Sequence, residues 1–245
     1  VEAGGGTLAL LATAASIGVV HTLLGPDHYV PFVALGRSRS WPLSRTLAVT
    51  AACGVGHVAG SIALGALGVG FGWALSGLVA AEQVRGRLAG WLLLGFGLAY
   101  LAWGVRQGLR GRAHHHAHAH ADGTVHVHGH DHRGGHAHPH DAARVADGGL
   151  LRRWLGPWTL FVVFVLGPCE PLIPLLMVPA AGGDGWAVAA VAAVFAGATI
   201  STMLVVVAAG ALGLSRFSAA PLERWSHAVA GAALAACGLA VTLGG

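Results

Sequence analysis

Two of the long apolar stretches in this chain carry the same interruption. Leu24-Gly25-Pro26 falls inside the first, and Leu166-Gly167-Pro168 falls inside the fourth. A membrane-crossing helix needs about 20 mainly apolar residues. The chain offers six such stretches, roughly 8–35, 47–73, 88–105, 154–179, 186–214 and 222–243. In lipid every backbone polar group must be satisfied internally, so stretches of this length are expected to be helices. Proline has no N–H and disfavours helix at the residue before it. The first helix is therefore expected to break at Gly25-Pro26 and the fourth at Gly167-Pro168. A broken membrane helix is tolerated only where protein or a cavity covers the freed backbone groups. Both breaks thus point inward, toward something the rest of the chain is built around.

Composition agrees. Only 10% of the residues are charged and 55% are hydrophobic, against roughly 25% charged in a soluble domain. All fourteen basic residues are arginine and most fall between the apolar stretches. The net charge of +4 therefore describes loops, and no basic–aromatic patch argues for nucleic acid. Cys53, Cys169 and Cys237 all lie in apolar stretches, which does not suggest a disulfide framework. The first apolar stretch lacks the basic flank of a signal peptide and is expected to span.

The six stretches form two sets of three. Besides the paired Leu-Gly-Pro, Gly65-Ala-Leu-Gly68 matches Gly210-Ala-Leu-Gly213 at nearly the same offset, the mark of an internal repeat. An odd number of spans per repeat makes the halves inverted, an arrangement that places a substrate site near the bilayer midplane. The expected organisation is a first three-helix repeat over 1–105, a loop over 106–153, and a second repeat over 154–245. The arginines cluster in the loops following spans one, three and five. By the positive-inside tendency the chain should sit in the cell (inner or plasma) membrane, termini outside and the 106–153 loop cytoplasmic.

The first break carries His21-Thr-Leu-Leu-Gly-Pro-Asp27-His28. Ionisable side chains at membrane depth are expensive and mark function. Two imidazoles and a carboxylate beside a helix break offer the donors that Ni²⁺, Co²⁺, Zn²⁺ or Fe²⁺ accept. His57, on a face of small residues in the second span, can reach the same point. At the matching break Cys169 and Glu170 could complete the coordination, and Glu170 could carry a proton released on binding. Ser201, Thr202 and Met203 occupy the repeat position corresponding to His57 and are weaker candidates along a pathway. His227, Cys53 and Cys237 are read as structural.

The loop is low in complexity and is expected to be disordered, because it has few apolar residues to bury. It holds His114, His115, His116, His118, His120, His126, His128, His130, His132, His136, His138 and His140. Such tracts commonly bind metal; here they would concentrate or buffer it.

These features together resemble the nickel/cobalt transporter superfamily: His21…Pro26-Asp27-His28, Gly56-His57 in the next span, a His-rich loop after the third, and Pro168-Cys169 opening the second half. The branch that looks most similar comprises nickel–cobalt efflux proteins and urease-accessory nickel transporters. That resemblance implies metal binding by His21, Asp27, His28 and His57. It implies Ni²⁺ or Co²⁺ as transported substrate, no prosthetic group, no enzymatic activity, and a cytoplasmic metallochaperone as a candidate partner beside the lipid bilayer. The nickel-permease branch has a second aspartate in its first motif; this chain has Asp27 alone. Leu166-Gly-Pro-Cys169-Glu-Pro-Leu-Ile-Pro174 also resembles the thiol–disulfide electron carriers of cytochrome c biogenesis, which implies the same inverted architecture. A carrier of that kind needs a cysteine in each half, and the first half has Asp27 at the matching place. An anion exporter would want fixed positive charge in its pathway, and no arginine is expected clearly inside a span.

Overall fold

The computed structural model describes residues 2–71, 75–110, 114–119, 125–130, 150–215 and 220–244. Apart from short turns and one hairpin, these are helical: α1 (Glu2–Leu24), α2 (Val30–Ser38), α3 (Leu43–Gly70), α4 (Leu75–Arg110), α5 (Leu150–Leu166), α6 (Leu172–Ala181), α7 (Gly185–Ser215) and α8 (Ala220–Gly244). The hairpin joins β1 (His114–Ala119) to β2 (Val125–His130), antiparallel, with His114 opposite His130. It occupies part of the stretch that composition reads as disordered. Most of that stretch lies outside the described residues.

Both helix breaks form where the prolines put them. α1 stops at Leu24, and a single 3-10 turn over Pro26–His28 leads into α2. α5 stops at Leu166, and α6 begins at Leu172 after Gly167-Pro168-Cys169-Glu170-Pro171. The fourth apolar stretch is thus divided into two helices, each shorter than a span. Among the described residues five helices, α1, α3, α4, α7 and α8, are long and apolar enough to cross a membrane, as expected of a membrane protein. Leu8, Trp91, Trp186, Val205 and Leu243 are exposed on them, an apolar coat suited to lipid.

One expectation is overturned. The expected stretches 47–73 and 88–105 leave Glu82, Arg85 and Arg87 to a loop between the second and third spans, but they lie inside α4, a helix of 36 residues. At 1.5 Å per residue that is about 54 Å, longer than a bilayer core. Glu82 is 0% exposed, and its Oε1 lies 3.0 Å from Arg85 Nη1. Charge density read as a loop because the groups that compensate these charges come mostly from other helices. α4 also runs past the expected boundary at 105, and α5 begins before 154.

The helices pack in pairs. α1 lies on α7 and α5 on α3; α2 lies on α8, while α6 packs mainly on α7 and only lightly on α4; α3 meets α7, and α4 runs along α8. The α4–α8 seam is built on glycines seven residues apart, Gly90, Gly97 and Gly104 on one side and Gly231 and Gly238 on the other. A Cβ at Gly97 would stand 2.3 Å from the Ala235 backbone nitrogen, and one at Gly231 would stand 2.2 Å from that of Leu101. Without a hydrophobic drive between helices in lipid, association depends on this close approach of backbones.

Candidate metal centre

The two breaks meet, and α3 crosses them. His57 of α3 is 2% exposed. Its Nδ1 lies 3.2 Å from the carbonyl oxygen of Phe164 in the last turn of α5. A carbonyl only accepts, so that nitrogen carries the proton and Nε2 is left with its lone pair. The same reasoning fixes His28. Its Nδ1 lies 3.2 Å from the Gly25 carbonyl oxygen and 3.4 Å from Asp27 Oδ1, so it donates there, and in the neutral ring Nε2 is the acceptor. His21 sits in the final turn of α1.

The Nε2 atoms of His21, His28 and His57 are all buried with no hydrogen-bond partner. A buried polar atom left unsatisfied costs about 1–3 kcal/mol, and the three rings that carry these atoms are neighbours. The ring centroids of His21 and His28 are 4.7 Å apart, those of His28 and His57 5.1 Å, and those of His21 and His57 6.4 Å. Cys169, 0% exposed, approaches from the second break. The ligand atoms of His21, His57 and Cys169 lie within 4.8 Å of one another. Ligands on a tetrahedral ion stand roughly 3.5 Å apart, given metal–nitrogen bonds of about 2.1 Å and metal–sulfur bonds of about 2.3 Å. Closure by about an ångström would therefore suffice. His28 brings a further nitrogen alongside.

Asp27 is not in the three-ligand group. Its carboxylate lies against His28 Nδ1, where a carboxylate orients an imidazole and raises its basicity toward a metal. Glycine makes this turn possible: a Cβ at Gly25 would stand 2.5 Å from His28 Nδ1 and 2.9 Å from Asp27 Oδ1. A cleft of about 670 Å³ opens beside the cluster and is lined by Ser16, His21, Asp27, His28, Glu170 and Cys237, among others. Glu170 is exposed and faces this cleft rather than joining the cluster. A void of about 20 Å³ lies between Asp27, His57 and Gly167.

The remaining candidates stand apart. Ser201 is exposed. The Thr202 hydroxyl donates to the Ala198 carbonyl of its own helix at 2.8 Å. Met203 is buried and packs toward α3, its Sδ 3.3 Å from where a Cβ on Gly54 would be. Of the loop histidines, His114, His115, His116, His118, His126, His128 and His130 are placed in the hairpin backbone. His120, His132, His136, His138 and His140 lie outside the described residues.

Two residues of the neighbourhood escaped the sequence reading. Glu82 Oε2 accepts the backbone N–H of Cys169 at 3.3 Å. Arg85 donates to the carbonyls of Leu166 at 3.2 Å and Gly167 at 2.7 Å, and to Ser61 Oγ at 2.7 Å. The only local signal was their i,i+3 spacing, suited to an ion pair on one helix face. Arg85 bears on the expectation that no arginine lies clearly inside a span, since it falls within a helix long and apolar enough to cross a membrane. Its guanidinium is committed to Glu82, Ser61 and the carbonyls at the break.

No protein-family model matches this chain, and no curated protein or solved structure is significantly similar to it.

Proposed function

We propose that this protein is a membrane transporter of divalent transition-metal cations, with Ni²⁺ and/or Co²⁺ as substrate. The observation that carries the reading is the group formed by His21, His57 and Cys169, whose ligand atoms lie within 4.8 Å of one another where two broken helices meet, with the His28 ring alongside. Nitrogen and sulfur donors suit borderline metals such as Ni²⁺, Co²⁺ and Zn²⁺ and disfavour Mg²⁺ and Ca²⁺. His21, His57 and Cys169 hold the ion, His28 joins them, and Asp27 orients His28. Glu170 and Asp27 give the cleft a negative lining through which a cation approaches.

Transport, rather than storage or sensing, is favoured by the paired breaks. Exchanging the halves turns α1 on α7 into α5 on α3, while α3 on α7 and α4 on α8 map onto themselves; α2 on α8 has only a light counterpart in α6 against α4. Such exchange is what two inverted three-helix repeats would give, and repeats of that kind rock about a central site. In this reading the chain spans a cell membrane six times, each broken pair counting as one span, with termini outside and the His-rich segment cytoplasmic.

The test is metal flux into proteoliposomes with Ni²⁺, Co²⁺, Zn²⁺ and Mn²⁺, comparing the wild type with His28→Ala and Asp27→Ala. Flux of a borderline metal that falls in both folded variants is expected. A folded wild-type protein that moves none of the four ions sinks the proposal. A thiol–disulfide carrier using Cys169 would then come forward. Against it now, all three cysteines are buried and unpaired, and the first-half counterpart is Asp27.

A further inference from the structure

The second helix break raises a problem that the metal site does not solve. Ending α5 at Leu166 leaves its last carbonyls without intrahelical donors, and Pro168 and Pro171 contribute no N–H groups of their own. Backbone groups freed inside a membrane must be satisfied by protein. At the first break the turn largely serves itself: Gly25 N–H donates to the His21 carbonyl at 3.0 Å and His28 N–H to the Gly25 carbonyl at 3.0 Å. At the second break the turn also bonds to itself, Gly167 N–H donating to the Phe164 carbonyl and Leu172 N–H to the Cys169 carbonyl, both at 3.0 Å, and a different helix supplies further partners. Arg85 donates to Leu166 and Gly167, and Glu82 accepts from Cys169, so one ion pair on α4 holds the residues on both sides of Pro168.

The fit is close on every side. A Cβ at Gly86 would stand 2.7 Å from Pro168 Cγ, and one at Gly60 would stand 2.7 Å from the Val165 carbonyl oxygen and 3.5 Å from Arg85 Nη2. Glu82 is fully buried. A buried ion pair is rarely the cheapest way to stabilise a fold, since apolar residues of similar volume often do as well. What an apolar pair could not do is fix three backbone polar groups at once.

We infer that Glu82 and Arg85 are positioning residues that hold the α5–α6 junction in register, so that the Cys169 thiol faces His21 and His57. This inference rests on the metal-site reading for its consequence, but not for its geometry. Neither residue touches the ion. They act through the backbone of Cys169 and of the two residues that precede Pro168. Loss of the clamp should leave imidazole binding in place while removing the sulfur donor.

The experiment uses the full chain in detergent with Cys53 and Cys237 replaced by alanine, and has two arms. In the first, Co²⁺ is titrated in and the thiolate-to-cobalt charge-transfer absorption is read beside the ligand-field bands. The background protein should show both, and Arg85→Gln should keep ligand-field bands but lose charge transfer, with affinity weakened roughly ten- to a hundredfold, as expected when charge-assisted hydrogen bonds are removed. In the second, without metal, alkylation of Cys169 by iodoacetamide is timed. The buried thiol should react slowly, and Arg85→Gln should accelerate it about tenfold or more. Arg85→Lys keeps the charge beside Glu82 but cannot reach three acceptors together. It should shift both readouts in the same direction by less, and it carries the test if the glutamine variant fails to fold.

A folded Arg85→Gln or Arg85→Lys with unchanged charge transfer and unchanged alkylation overturns the inference. If the background protein shows no thiolate-to-cobalt charge transfer, the reading of a metal site that includes Cys169 fails and the functional half of the inference falls with it. The alkylation arm then decides the geometric half alone: acceleration upholds the clamp, and an unchanged rate overturns it.

Discussion

Gly97 and Gly95 lie two residues apart on α4, and the same substitution should have opposite consequences at the two sites. A Cβ at Gly97 would stand 2.3 Å from the Ala235 backbone nitrogen, 2.7 Å from its Cα and 2.8 Å from the Leu234 carbonyl carbon. Ordinary carbon contacts lie at about 3.5–4.0 Å, so α4 and α8 would have to separate locally by more than an ångström. No side chain can swing aside, because all three obstructing atoms are backbone. Gly90 and Gly104 fix the seam one heptad to either side, so a separation at Gly97 spreads along it. Overpacking a filled interior costs about 1–3 kcal/mol and occasionally more, and backbone obstruction puts Gly97→Ala at or above the top of that range. A Cβ at Gly95 meets nothing within 4 Å, and alanine is the better helix former by about 1 kcal/mol. Gly95→Ala should therefore be neutral or mildly stabilising. Reversible unfolding of both variants in mixed micelles, followed by circular dichroism, measures the difference directly. Equal stability of the two variants would refute the claim that backbone approach along this seam holds α8 in place. The result also bears on the site, because Cys237 of α8 lines the cleft beside His21 and Asp27.

Gly25→Ala should cut Co²⁺ affinity at least tenfold with the fold retained, since its Cβ would displace His28 Nδ1 rather than backbone; isothermal titration against wild type checks this. Replacing Glu82 with alanine would leave Arg85 inside the protein without its counter-ion, which should cost about 3–5 kcal/mol, read as a lowered denaturation midpoint. Metal binding should weaken as pH falls through the imidazole range, because coordinating histidines must be unprotonated; affinity that stays constant from pH 7.5 to about pH 5.5 would argue against imidazole ligands. Deleting residues 114–140 should change apparent affinity or regulation while leaving proteoliposome flux, and complete loss of flux in a folded deletion would assign the loop a direct part in transport.

The sequence by itself determined the helical, membrane-type character of this chain, because runs of apolar residues this long have few other ways to satisfy their backbones in lipid. It also located both breaks to the residue, since Gly25-Pro26 and Gly167-Pro168 act through local sterics and a missing donor. His21, His28, His57 and Cys169 were legible as candidates because polar groups in such runs are conspicuous. Their roles were not. Only the tertiary structure separates Cys169, which meets His21 and His57, from its neighbour Glu170, which faces the cleft. It alone shows Asp27 lying against His28 rather than within the three-ligand group, because that depends on a backbone turn tight enough to need Gly25. The Glu82–Arg85 pair was misread as a loop for the same reason. A charge is a loop signal when counted along the chain, and becomes an interior fixture only when helices distant in sequence supply its partners.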